Sequence, residues 1–244
     1  MYEERSYRKI ARPRELLCYE VRYKETDLLC CTTTDMKQRI EERTQFYRYQ
    51  LEGYIGMRQA FRDSLVPVED DIFAPPIARE MIKTAGLLGI GPMATVAGAM
   101  AEFVGNDIAG DTEEFIIENG GDIYLRTGKE RISLIYAKDS PFSEKIGIKL
   151  KPHREPYGVC TSSATVGPSL SLGKADAVCV IARSSLFADG LATFVGNRVK
   201  KKDDIAPAIE KGSFFSGVRG ILIVMGEHLG AWGDIEIVKM RGGK

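Results

Sequence analysis

Two stretches of this sequence hold side chains that could do chemistry. Cys160-Thr161-Ser162-Ser163-Ala164-Thr165 places one thiol and four hydroxyls within six residues, flanked by Gly158 and Gly167. Ser184 to Thr193 reads as a helix in which the carboxylate of Asp189 precedes the hydroxyl of Thr193 by four residues. Four residues is about one helical turn, so both lie on one face and can offer oxygens to one small cation. Magnesium takes oxygen ligands, keeps waters and borrows phosphate oxygens, so two protein oxygens plus a nucleotide suffice. Taken alone, Asp-x-x-x-Thr reads as an exposed helix acid and a packing residue. Its company elsewhere in the chain raises the other reading.

The elements that must position these residues are those of an α+β protein. Leu16 to Arg22 and Leu28 to Thr33 read as two strands of a hairpin around Lys24-Glu25-Thr26-Asp27. Thr34 or Asp35 then caps a long helix to about Asp63, with Met36, Ile40, Tyr47, Leu51, Tyr54 and Phe61 as its buried stripe. The stretch from Val66 to Pro76 has three prolines and the acidic run Glu69-Asp70-Asp71, a surface connection. Helices follow at Ile77 to Ala85 and Met93 to Val104, the second with Ala94, Ala97, Gly98 and Ala101 along one side, where a backbone or a ligand can approach closely. Strands at 114–118 and 123–126 meet at Asn119-Gly120-Gly121-Asp122, a strong turn signal. Further strands are expected at 131–136, 144–151, 177–182, 221–225 and 235–239, with helices at 184–199 and 203–210. Hairpin-linked strands and long helices without strict alternation exclude a doubly wound sheet.

Composition narrows the function classes. Lys plus Arg and Asp plus Glu each number 34, so the net charge is zero and a basic nucleic-acid surface is not expected. Met1-Tyr2-Glu3-Glu4-Arg5 opens no apolar run, so no signal peptide is read. Ala85 to Met100 comes nearest to a membrane span but holds four glycines and Pro92. The expectation is a soluble, cytoplasmic protein with no membrane partner. Five cysteines without a C-x-x-C pair fit neither a secreted disulfide framework nor a zinc site. Cys18, Cys30 and Cys179 are expected as free core residues.

The order of these motifs carries a resemblance. A small-residue helix from Gly91-Pro92-Met93-Ala94 to Gly98, the turn Asn119-Gly120-Gly121-Asp122, the hydroxyl run Thr161-Ser162-Ser163 and Ala188-Asp189-Gly190-Leu191-Ala192-Thr193 follow one another. Together they resemble the ApbE family, flavin transferases that move FMN from FAD to a threonine or serine of a target protein. Those proteins show Asn-x-Gly-Gly-Asp/Glu, Ser-Thr-Ser-Gly and Ala-Asp-Ala-Leu-Ala-Thr. The match runs from about residue 86 to 199, and the chain looks most like the short cytoplasmic branch of the superfamily. The resemblance implies a single ApbE-like domain over residues 1–244, an α+β fold related to paired T-fold units. It implies that Asp189 and Thr193 hold magnesium on a flavin diphosphate, with Asn119, Gly120, Gly121, Thr161, Ser162 and Ser163 lining the nucleotide site. Two features depart from the family. Its His-Ile-x-Asp-Pro-x-Thr-Gly motif is reduced to His153 in Lys151 to Gly158, and its Lys-Gly pair is absent, since Gly98 follows Ala97.

Three functions stay open on these grounds. The first is an ApbE-like enzyme binding magnesium and FAD or FMN, with an acceptor protein as partner and Asp122 or His153 as general base. The second is sulfur transfer through Cys160, whose thiolate would need N–H dipoles or a cation such as His153 or Arg154; the alternative for Cys160 is a small residue beneath the pocket floor. The short branch's apparent link to sulfide assimilation supports this second reading by resemblance. The third is a non-catalytic partner protein that keeps the fold. A homo-oligomer is compatible with all three.

Overall fold

The computed structural model describes residues 13–163 and 172–240. It is α+β, as the sequence implies. An eight-stranded sheet runs β1-β2-β3-β4-β7-β8-β9-β10, antiparallel at every pairing. Its strands are β1 (Leu17–Tyr23), β2 (Thr26–Thr32), β3 (Phe115–Asn119), β4 (Asp122–Thr127), β7 (His153–Ser162), β8 (Ala177–Ala182), β9 (Val218–Met225) and β10 (His228–Gly233). A smaller sheet joins β5 (Arg131–Leu134), β6 (Ile146–Leu150) and β11 (Ile237–Lys239) in the order β11-β6-β5. The helices are α1 (Lys37–Met57), α2 (Gln59–Asp63), α3 (Pro76–Leu88), α4 (Val96–Ile108), α5 (Ser185–Gly196) and α6 (Ile205–Ser213).

Side-chain alternation along the strands divides the core in two. Val178, Val180 and Ala182 of β8 face the helices together with Cys160, Ile221 and Ile223. Ala177, Cys179 and Ile181 face the small sheet together with Tyr157, Val159 and Ile148. Being covered on both sides is why β8 reads as the uninterrupted apolar run Ala177 to Ala182. The helical layer thus lies on one face of the large sheet, over both of its halves.

Several expectations are corrected. The long helix does not reach Asp63 unbroken: Arg58 leaves the helical region (φ −127°, ψ 79°), which turns Phe61 inward, edge-on to Tyr54 at 5.0 Å between ring centres. Strand β7 has ten residues, where only Gly158-Val159 read as strand. Pro156 and its charged neighbours mask it, and they sit where the β4–β7 register slips between Leu125 and Thr127, a bulge that tolerates proline. Strand β10 went unread because His228-Leu229-Gly230-Ala231-Trp232-Gly233 is poor in β-branched residues.

Cys18 is not a free core thiol. The β1–β2 register sets Cys18 opposite Cys31, and the two form a disulfide. Cys30, Cys160 and Cys179 are buried thiols outside the disulfide. The denatured, unreduced protein should therefore titrate three thiols, rising to five after reduction. The folded protein should titrate almost none. Five thiols without reduction would refute the bridge.

Among the described residues no single helix is long and apolar enough to cross a membrane. The bent pair α3 and Pro92–Ile108 passes that test only jointly, across a 103° break.

Candidate functional site

The site is built where α4 and α5 cross over the middle of the sheet. Thr95 precedes α4 without capping it through its own side chain. The orphan amides of that first turn are met instead from α5: Gly98 N–H donates to Asp189 Oδ2 at 2.9 Å, and the Ala97 amide also bonds to this carboxylate. The start of α5 is met in return from α4. Ser184 Oγ donates to Glu102 Oε2 at 2.6 Å, and Leu186 N–H donates to the same oxygen at 3.0 Å. Ser184 Oγ also accepts from Phe187 N–H at 3.1 Å as the N-cap of α5. Each helix thus supplies the carboxylate that caps the other, and the macrodipoles favour both negative charges.

Two glycines permit this closeness. A Cβ on Gly98 would lie 2.2 Å from the Ser185 carbonyl oxygen, and one on Gly158 of β7 would lie 2.3 Å from Ser185 Cα. Ser185 is held between them; its Oγ donates to Gly98 O at 2.8 Å, and its carbonyl accepts from Cys160 Sγ at 3.2 Å. The small residues Ala97 and Gly98 read from the sequence therefore receive another helix.

The turn between β3 and β4 docks on the same point. Gly120 and Gly121 both adopt positive φ (68° and 103°), and Asn119 pairs with Asp122 across them, a type I′ turn. Asn119 Nδ2 donates to Ala97 O at 3.2 Å, and Gly121 N–H donates to Glu118 Oε1 at 2.7 Å. Asp122 Oδ1 accepts from Thr161 N–H at 3.2 Å. Segments distant in sequence thus meet at the first turn of α4: α5 through Asp189, the turn through Asn119, and the end of β7 through Asp122.

The electrostatics of this point are unbalanced. Asp122 is 7% exposed, and burial raises its carboxyl well above the usual range; the neighbouring Asp189 charge adds to the rise. Asp189 keeps some solvent contact, yet the dense protein around it removes most of its hydration and raises its carboxyl to about 7, against the opposing Gly98 and Ala97 amides. Among the described residues no Lys, Arg or His forms a salt bridge with either. Two such carboxylates take up a proton or attract a cation.

The residues singled out in sequence fare differently. Asp189, Thr193 and Gly196 form one stripe of α5. Ser162 lies beside it, its Oγ 4.0 Å from where a Cβ on Gly196 would be. Thr161 points through the sheet instead and bonds to Cys179, whose thiol burial raises to about 12. Ser163 Oγ donates to Asp176 O at 2.6 Å. Cys160 is fully buried; burial, then the charges of Asp122 and Asp189, raise its thiol well above its usual value and keep it protonated. The expected cationic neighbour is not there. His153 lies seven residues back along β7, about 23 Å at strand rise. It belongs to the other face, with its ring against Tyr157 and Nδ1 2.7 Å from Glu155 O. His153 is therefore not brought together with Asp122 or Cys160. Glu102 escaped sequence reading altogether, because its partners lie more than 80 residues away and no local spacing marks it.

No group of three or more His, Cys, Asp or Glu side chains among the described residues is arranged to hold a metal ion. The donors present are oxygens: the Asp122 and Asp189 carboxylates and the Thr193 hydroxyl. That set suits a hard cation completed by waters and phosphate, and does not suit a soft one.

Comparison with known proteins bears on family and fold. The sequence model of the family described as "AbpE bacteria" matches residues 8–213. A "UPF0280 protein" of Methanocaldococcus jannaschii is 41% identical over 198 residues, covering 79% of this chain and 80% of the relative. A second, from Methanococcus aeolicus, is 40% identical over 193 residues, covering 77% and 78%. Among solved structures, the apo flavinyl transferase ApbE of Pseudomonas stutzeri superposes with a TM-score of 0.58 at 13% identity, covering 89% of this chain and 93% of that one. The ApbE protein of Thermotoga maritima gives 0.56 at 14% identity, covering 88% and 96%. At such identities the likeness is one of fold. With most of its length matched by the family model, the chain belongs to the bacterial AbpE family and has the ApbE-like fold.

Proposed function

We propose that this protein binds a flavin nucleotide, FAD or FMN, through a magnesium ion held by Asp189 and Thr193. The observation that supports this most is the pair of carboxylates, Asp122 and Asp189, at the amino end of α4 with no side-chain cation against them. A divalent ion supplies the missing charge, and the Asn119-Gly120-Gly121 turn and Ser162 flank the approach to it. Thr161 serves by fixing Asp122 through its backbone N–H rather than by touching the ligand. When bound, magnesium would neutralise charge developing on a diphosphate leaving group. In a transfer of FMN to a protein hydroxyl a general base must take the acceptor's proton; Asp122 would serve once a bound cation's charge lowers its carboxyl, which burial and the Asp189 charge raise in the metal-free protein.

The test is equilibrium binding of FAD to the metal-stripped full chain, followed by flavin fluorescence with and without magnesium. Magnesium should tighten binding by at least about tenfold, and Asp189→Ala should remove that gain. Binding that ignores magnesium, or an Asp189→Ala variant that responds as the wild type does, would sink the metal assignment. No FAD or FMN binding under either condition would sink the flavin reading.

A further inference from the structure

The two edges of the large sheet differ in kind. Strand β1 carries Glu20 and Arg22, paired at 2.8 Å, charges of the sort that blunt an edge against further pairing. Strand β10 has no Asp, Glu, Lys, Arg or Pro in its six residues, and among the described residues it pairs only with β9. Leu229 and Trp232 on it are 36% and 40% exposed. Beside it runs a groove of about 580 Å³ between the strand and α6, lined by Ile205, Ile209, Leu229 and Trp232, with Lys202 and Glu210 among its charged residues.

Register shows what this edge offers. The β9–β10 hairpin turns on Gly226 (φ 56°) and Glu227, closing Met225 against His228. In a two-residue hairpin the closing pair is hydrogen-bonded, and alternate residues beyond it point their N–H and C=O groups outward. Leu229 and Ala231 therefore present two donors and two acceptors with no partner strand, and Gly233 adds its N–H, its carbonyl already accepting from Ile235 N–H at 2.8 Å. An antiparallel copy of this row matches itself about Ala231: Ala231 meets Ala231, and Leu229 meets Gly233. Gly230 and Trp232 face α6, since a Cβ on Gly230 would lie 2.4 Å from Ile205 Cγ2. The same axis sets the second copy's Trp232 across from Gly230, the position without a side chain, beside the groove. It also reverses α6, bringing the Lys202 end of one groove toward the Glu210 end of the other.

We propose that β10 is the interface with a second copy of this chain, forming a two-fold dimer in which the two eight-stranded sheets join edge to edge through Ala231. Edge complementarity with closed two-fold symmetry covers both β10 strands at once and leaves the two charged β1 strands as the outer edges of the joined sheet.

Sedimentation equilibrium of the full chain tests this. The wild type should be a dimer at micromolar concentration. Ala231→Pro removes an outward N–H without breaking a bond to β9, and should weaken association by at least about 100-fold. Glu210→Lys and Lys202→Glu should each weaken it, and the double variant should recover most of the loss. A wild type that stays monomeric overturns the proposal. So does a dimer whose dissociation constant is unmoved by Ala231→Pro and by both charge reversals; the charge variants lie at the surface and keep the test decisive if the proline variant does not fold.

Discussion

Gly98→Ala should destabilise the protein by on the order of 3–5 kcal/mol, while the same change at Gly53 should stabilise it by about 0.5–1 kcal/mol. The two glycines are both helical and differ only in what surrounds them. Gly53 lies on the exposed side of α1, and a Cβ there meets nothing within 4 Å. Alanine gains helix propensity at no steric cost. A Cβ on Gly98 would sit 2.2 Å from the Ser185 carbonyl oxygen and 2.8 Å from Asp189 Cβ. The first is backbone and cannot swing away, so α4 must move off α5. That movement lengthens Gly98 N–H to Asp189 and Ser185 Oγ to Gly98 O, each bond contributing about 1 kcal/mol. Against a total stability of about 5–15 kcal/mol this is a large fraction. Urea unfolding of both variants measures it. Equal effects at the two positions would show that α4 and α5 do not meet as described.

In metal-free protein, stability should fall as pH rises from about 4 to 7, and Asp189→Asn should flatten that fall. The Asp189 carboxyl lies near 4 in an unfolded chain and at about 7 in the folded one, chiefly through lost hydration. The folded state then binds the proton more tightly, so its advantage is complete below pH 4 and lost through the window up to 7. The displacement corresponds to on the order of 4 kcal/mol, and to less in practice because Asp189 keeps some water contact. Asparagine keeps an oxygen for Gly98 N–H and carries no charge, so the variant should melt above the wild type at pH 8 in a chelator. Buried Asp122 adds to the slope with the same sign. Melting temperature across pH 4 to 8 decides the matter. A wild type whose stability rises over that range would refute the buried pair, and added magnesium should rescue only the wild type at pH 8.

The sequence alone determined the α+β class, most helix and strand positions, and the glycine turn at Asn119 to Asp122. These follow from short-range rules: apolar spacing along a helix, alternation along a strand, and glycine where positive φ is required. It also marked Asp189 and Thr193 as one face of one helix, because a turn of helix is a local fact. Tertiary structure decided the surroundings, which depend on contacts many residues apart. It made Asp189 a half-buried cap on another helix rather than an exposed acid, stripped enough of its hydration to raise its carboxyl, and set its charge near Asp122, whose carboxyl rises further for it. It put His153 and Cys160 far apart on opposite faces of one ten-residue strand, whose length Pro156 and its charged neighbours conceal in the sequence. It joined Cys18 to Cys31, since strand register selects partners that cysteine counting does not. Glu102 shows the limit most clearly: an unremarkable helix residue in sequence, it acquires its role only where a second helix begins against it.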